Sequence, residues 1–278
     1  MIIRKLKSNL IKCAGQKQRS EVFLDYFYGC VDENLRRLGT WHAEQNFSKL
    51  RKKNQKDKLE KGKILKIVLA TSNSDKVREI KDFLKDYEIY ALREICEPFE
   101  IVEDGATFAA NALIKARAVH AKLRELNLAN EFIALSDDSG ISVEALGGRP
   151  GIYSARFSDM NERGQITGKS ATDASNRAKL IAELNALNLT SSPAFYTACI
   201  AVSSNLGDFT AHGFMHGTAI NEERGSNGFG YDSLFIPKGF TRTLGELDDD
   251  TKLKISHRSK GLELIKYVLR DLEAKFAR

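Results

Sequence analysis

The apolar run Ile64–Ala70 passes without a spacer into Thr71-Ser72-Asn73-Ser74, and Val77, Ile80, Phe83 and Leu84 then recur at helical spacing. A short apolar run bounded by turn formers reads as a buried strand, and a period near 3.6 as an amphipathic helix. The alternation continues. A short strand is expected near Glu88–Leu92, a helix from about Thr107 to Leu126, a strand at Phe132–Leu135, a glycine loop, and a helix around Ala174–Leu187. Strands at Phe195–Ser203 and Phe209–Thr218 flank a hairpin turn at Asn205-Leu206-Gly207-Asp208, and a last helix runs from about Lys260 to Phe276. Strands alternating with helices predict an α/β domain, and adjacent hairpin strands make its sheet mixed.

Upstream of Ile64 the texture differs. Residues 1–63 carry sixteen Lys and Arg against seven Asp and Glu, whereas the remainder carries 27 against 30. The formal charge of +6 therefore belongs to an N-terminal extension, expected to be helical or partly disordered, and residues 64–278 are expected to form the main domain. No nucleic-acid partner is expected of that domain. No apolar run approaches the roughly 20 residues that span a bilayer, so no membrane partner is expected. Cys13, Cys30, Cys96 and Cys199 are scattered without metal-site spacing and read as reduced thiols of a cytoplasmic protein.

Asp137 and Asp138 stand where the apolar run Phe132–Leu135 stops and a Ser-Gly turn is expected. Mg²⁺ takes oxygen ligands, commonly one or two carboxylates plus substrate phosphates, so paired acids at a strand end suit it. The same pattern also describes a plain Asp-rich turn. Thr71-Ser72-Asn73-Ser74-Asp75-Lys76 lies between a strand and a helix start, where free N–H groups and the helix dipole favour phosphate. Simple capping by Asn or Ser explains it equally. Thr107, Asn111 and Lys115 form one polar stripe on a helix, ordinarily its wet side. Glu103 and Asp104 precede that helix, as dipole partners or as a second carboxylate for a metal beside Asp138. Gly225-Ser226-Asn227-Gly228-Phe229-Gly230-Tyr231-Asp232 combines close-approach glycines with an aromatic face for stacking a base. Lys252 and Ser256-His257-Arg258 precede the last helix, as surface decoration or as phosphate and base contacts.

Five stretches in this order, TSNSDKVREI, EDGATFAANALIKA, SDDSGISVEALGGRPGIYSARF, GFGYDSLF and KISHRSKGLELI, resemble the inosine/xanthosine triphosphate pyrophosphatase family across roughly residues 64–275. The resemblance implies a two-lobed domain with a long mixed β-sheet flanked by helices, an active-site cleft between the lobes, and a homodimer. It implies that Thr71, Asn73 and Lys76, within the loop 71–76 that includes Ser72, Ser74 and Asp75, hold a triphosphate. Glu103 and Asp138 would bind Mg²⁺, with Asp138 also activating the attacking water and Asp137 beside it. Lys115 and Lys252 would contact phosphate or substrate, and Ser139 would belong to the binding loop. Phe229, Gly230, Tyr231 and Asp232 would line a base pocket, with His257 and Arg258 at the purine edge. Ala110 stands where many relatives have Glu, Ser233 where Pro usually follows, and residues 1–63 have no counterpart.

The implied reaction splits the small-molecule nucleotides ITP, dITP or XTP into a monophosphate and pyrophosphate. A Maf-type pyrophosphatase is the nearest rival, and the GFGYD and SHR motifs argue against it. A nucleic-acid-binding module would depend on the basic extension alone.

Overall fold

The computed structural model describes residues 65–161, 165–168 and 170–276. The expectations for residues 1–63 lie outside this range. Six strands make one sheet in the order β2-β1-β3-β4-β5-β6. They are β1 (Lys66–Leu69), β2 (Glu88–Ala91), β3 (Phe132–Val143), β4 (Ser191–Ser204), β5 (Gly207–Ile220) and β6 (Phe235–Pro237). β1 runs parallel to both β2 and β3, and every pairing from β3 to β6 is antiparallel. The expected mixed sheet is therefore present. Its helices are α1 (Ser74–Phe83), α2 (Phe108–Glu125), α3 (Asp173–Ala186), α4 (Asp249–Ile255) and α5 (His257–Phe276).

Strand alternation sorts the first core into two layers. Ile67, Leu69, Ile133, Leu135, Ala198, Ile200 and Val202 face one side, where Ile80 of α1 and Leu262, Ile265, Leu269 and Leu272 of α5 cover them. Val68, Ala70 and Ala134 face the other, under Val119 and Leu123 of α2, while Phe108, Ala112 and Ala116 of α2 pack on Cys199 and Ala201. β3, β4 and β5 continue past these helices into a second core. There Ile141, Val143, Tyr196 and Met215 meet Phe157, Leu180 and Leu184, together with Tyr231, Leu234 and Phe235. Two lobes thus share three long strands.

Four expectations change. β3 does not stop at Leu135 but stays paired with β4 from Ala134↔Ser203 to Val143↔Ala194, so Asp137 and Asp138 lie inside a strand. Ladder bonds and buried ion pairs hold acids there that local propensity assigns to a turn. The true turn follows at Gly147 and Gly148, both at positive φ. The Thr107-Asn111-Lys115 stripe is not a wet face, because Asn111 and Lys115 are buried. The last helix starts at His257, three residues earlier than expected, and the short α4 and β6 were not anticipated.

Candidate active site

β1 ends at Leu69, and its last bond to β3 is Ala70 N–H to the Leu135 carbonyl at 2.8 Å. Farther along β3 the same edge closes again, where Ile141 N–H donates to Ser154 Oγ at 2.9 Å and Val143 N–H to the Arg149 carbonyl. Between them, residues 136–140 form a window at the carboxyl end of a parallel strand. α1 leaves over one face of the sheet and α2 returns over the other. In open α/β sheets such a crevice is where ligands bind.

Because side chains alternate along a strand, Asp137 and Asp138 leave β3 on opposite faces. On the α1/α5 face, Asp137 Oδ2 meets Lys76 Nζ at 2.8 Å and the Arg258 guanidinium at 3.1 Å. Ser139 Oγ donates to the same oxygen at 3.0 Å and accepts from Arg258 at 3.0 Å. Arg258 also pairs with Glu79 of α1, and its guanidinium carbon lies 5.7 Å from the Phe229 ring centroid. Burial would raise the Asp137 carboxyl, but Arg258 and then Lys76 outweigh it and hold the group far below the usual carboxylate range.

On the α2 face, Lys115 Nζ lies 3.0 Å from Asp138 Oδ1 and 2.7 Å from Glu103 Oε2. Burial raises the Asp138 carboxyl above its ordinary value, with Lys115 and Lys76 opposing. Burial would lower the Lys115 ammonium, but Asp138 and Glu103 raise it overall. Glu103 and Asp138 thus converge on one cation, and Asp138 Oδ2 is buried without a hydrogen-bond partner. Two hard carboxylates with one uncommitted oxygen fit Mg²⁺, which completes its shell with phosphates and water.

A cleft of about 320 Å³ opens where the lobes meet, lined among others by Asn73, Lys76, Ser139, Phe229–Asp232, Lys252, His257 and Arg258. Asn73 caps α1, its side chain accepting from the Asp75 and Lys76 N–H groups at 2.9 and 3.0 Å. Its capping role and its place in the cleft coexist. Lys252 Nζ pairs with Asp232 Oδ2 at 2.8 Å. A side chain at Gly228 would run into both groups, and its φ of +83° already favours glycine. The His257 ring stacks on Tyr196, centroids 4.7 Å apart. Burial, reinforced by Arg258, pushes His257 well below its ordinary pKa, so it stays neutral. Its place follows from Gly213 of β5, where a Cβ would strike the His257 carbonyl and the Gly261 N–H, so the first turn of α5 presses on the sheet. Thr71, Ser72, Ser74, Asp75, Glu103, Lys115 and Asp138 do not line this cleft. The last three form the cluster across the strand.

The family model for the Ham1 family matches residues 67–267. The chain belongs to the Ham1 family. A curated dITP/XTP pyrophosphatase of Campylobacter concisus is 72% identical over 213 residues, 77% of this chain and 100% of that protein. The dITP/XTP pyrophosphatase of Campylobacter fetus is 68% identical over 209 residues, 75% of this chain and 98% of that one. Among solved structures, a HAM1 protein from Coxiella burnetii superposes with TM-score 0.63 at 37% identity, covering 75% of this chain and all of the other. The Staphylococcus aureus Ham1 protein gives 0.60 at 30% identity, covering 74% and 98%.

Within this Ham1 fold, sequence reasoning missed Glu79 and Tyr196. Glu79 follows Lys76 by three residues, so both lie on the face of α1 turned to the cleft, a relation the helical period already contained. Tyr196 had no distinguishing signal, because it lies in a strand that is apolar on both faces.

Proposed function

We propose that the chain hydrolyses non-canonical purine nucleoside triphosphates, dITP, XTP and ITP, to the monophosphate and pyrophosphate, with residues 64–278 sufficient and Mg²⁺ required. One observation carries this reading. Four buried polar atoms lack hydrogen-bond partners, Asp137 Oδ1, His257 Nδ1 and Arg258 Nε on the Lys76 side of β3 and Asp138 Oδ2 on the Lys115 side. Buried polar groups are normally satisfied, so the orphan oxygens of Asp137 and Asp138 call for a cation or hydrogen-bond donors and the orphan Arg258 Nε for an acceptor, a mixed demand that a metal-bearing, hydrogen-bonding nucleotide meets.

In this proposal the triphosphate lies across residues 136–139, where it reaches both faces of β3. The start of α1 and Lys76 receive its phosphates from one side and Lys115 from the other. Glu103 and Asp138 would hold Mg²⁺, which supplies charge neutralisation at phosphate oxygens when bound. Asp138 takes the proton of the attacking water, and the upward push of burial makes this carboxylate a better base than an exposed one. The cationic frame is built before the reaction and opposes the charge that develops on the leaving pyrophosphate.

The base enters between Phe229 and the His257-Arg258 turn. A neutral histidine offers one donor and one acceptor, and Arg258 offers donors only, so the edge suits a 6-oxo purine. The 6-amino group of adenine would leave a buried donor unpaired, at a cost of about 1–3 kcal/mol. The homodimer and the cytoplasmic location belong to the same proposal, on the strength of the family resemblance. Pyrophosphate release with Mg²⁺ is measured across dITP, XTP, ITP, GTP and ATP, and light scattering gives the oligomeric state. Rapid turnover of the first three and slow turnover of ATP is expected. ATP hydrolysed as fast as dITP would overturn the base assignment.

A further inference from the structure

Gly230 follows the aromatic residue of the base loop and has no side chain to anchor it. Its backbone is held from both ends by a single helix. Asp173, in the first turn of α3, accepts from Gly230 N–H at 2.7 Å through Oδ2. Arg177, one turn later, donates to the Gly230 carbonyl at 3.1 Å through a terminal guanidinium nitrogen. The other arm of Arg177 donates through Nε to Glu223 Oε2 at 2.8 Å, and Ser233 Oγ donates to that same oxygen at 3.1 Å. One guanidinium thus ties the middle of the loop to both of its flanks.

The helix is itself fixed. Thr172 and Ser175 close a capping box at its start. Asn176 accepts from Ser158 N–H at 2.8 Å and donates to the Ala155 carbonyl at 3.1 Å, while Leu180 and Leu184 sit in the second core. On the other side of the loop, Phe229 N–H donates to Asp232 at 3.3 Å. Phe229 therefore lies between two held peptide groups, and its half-buried side chain lines the cleft beside Arg258. A stacking platform works only when its orientation is set by rigid surroundings.

We propose that Asp173 and Arg177 are positioning residues that set the Phe229 ring for stacking a purine. The proposal rests on the nucleotide reading above. Both residues act through Gly230, and although Asp173 is exposed at the cleft wall, its Oδ2 is engaged by the Gly230 N–H. The charge-assisted bonds at each end make the clamp stronger than a neutral loop contact.

The test is steady-state kinetics with dITP on the full chain. Asp173→Ala and Arg177→Ala should each raise KM about tenfold, the order expected from losing one charge-assisted hydrogen bond, with kcat within about twofold. Asp173→Asn keeps an acceptor and should recover most of the loss. In a Phe229→Ala background neither substitution should add further loss. Additive loss there would mean that Asp173 or Arg177 acts directly on substrate, and equal loss of kcat with KM unchanged would mean general damage. Either result overturns the proposal. Hydrogen exchange across residues 226–233 should quicken in Asp173→Ala without nucleotide, and unchanged exchange also overturns it. A wild-type chain inert toward dITP, XTP and ITP would sink the nucleotide reading, while the exchange result would still decide the clamp. If Arg177→Ala fails to fold, the Asp173→Ala and Asp173→Asn pair carries the test.

Discussion

Asp137 and Asp138 are neighbours in sequence and belong to opposite faces of β3, Asp137 against Lys76 at 2.8 Å and Asp138 against Lys115 at 3.0 Å. Their consequences on substitution should separate accordingly. Asp137 balances two buried cations, so Asp137→Asn leaves Lys76 and Arg258 undercompensated. A loss of about 3–5 kcal/mol in unfolding free energy is expected, as for other broken buried pairs. Asp138→Asn preserves shape beside a single cation and removes the proposed base. It should lower kcat by at least about 10²-fold while leaving the melt near wild type. Chemical denaturation and pyrophosphate release on both variants make the comparison. Near-normal turnover by Asp138→Asn would remove it from the mechanism.

Glu103 meets Lys115 at 2.7 Å and is the more exposed of the two carboxylates on that ammonium. Glu103→Gln keeps an oxygen but loses the charge that a hard cation favours. The Mg²⁺ concentration for half-maximal activity should rise about tenfold or more, in line with the loss of a charged ligand contact, and excess Mg²⁺ should restore rate. Chelation of the wild type should abolish turnover reversibly. An unchanged Mg²⁺ requirement would assign Glu103 to Lys115 alone.

Arg258 is held by Glu79, Asp137 and Ser139 and lies over Phe229. Arg258→Ala should lower kcat/KM for ITP more than for ATP, because the 6-oxo group loses donors that the 6-amino group never used. Equal loss on both substrates would mean that Arg258 serves only to frame Asp137.

The Asn73 cap, the glycine loop and the His257-Arg258 pair were legible as elements of the cleft wall, because capping residues, glycines and helix starts are local signals. The long reach of β3 was not legible. Asp137-Asp138-Ser139-Gly140 carries turn propensity, and only the ladder to β4 and the cations of α1, α2 and α5 make it a strand. The burial of Lys115 was hidden for a related reason, since a polar stripe looks the same whether it faces water or two carboxylates. Glu79 shows the converse, a contact 179 residues distant in sequence from Arg258 whose helical register was in view but whose partner was not.

The Campylobacter concisus relative is matched over its whole length by 213 residues, 77% of this chain, and the family match begins at residue 67. The residues placed at the site run from Asn73 to Arg258. A chain starting at Gly62 should therefore fold and hydrolyse dITP with kcat/KM within about twofold of the full chain, since no proposed contact is lost. Thermal melts and kinetics on both lengths check this. A tenfold deficit in the shorter chain would give the extension a direct part in activity.

His257 supplies the pH test. Its ring faces Tyr196 of β4, Asp137 of β3 and Lys76 of α1, with Arg258 and Lys260 on its own helix. Burial and then Arg258 keep it neutral in the folded chain, whereas in the unfolded chain it titrates near its ordinary pKa of about 6.5. Above that pH neither state carries the proton and His257 contributes no pH dependence. Below it the unfolded chain binds a proton that the folded chain refuses, so stability is lost as pH falls. The limiting slope is about 1.4 kcal/mol per pH unit. Denaturation midpoints from pH 8 to pH 5 should therefore fall more steeply for the wild type than for His257→Gln, which has no group to protonate. Parallel pH profiles would mean that the imidazole accepts its proton in the folded state, and with that the neutral donor–acceptor edge proposed for the purine would fail.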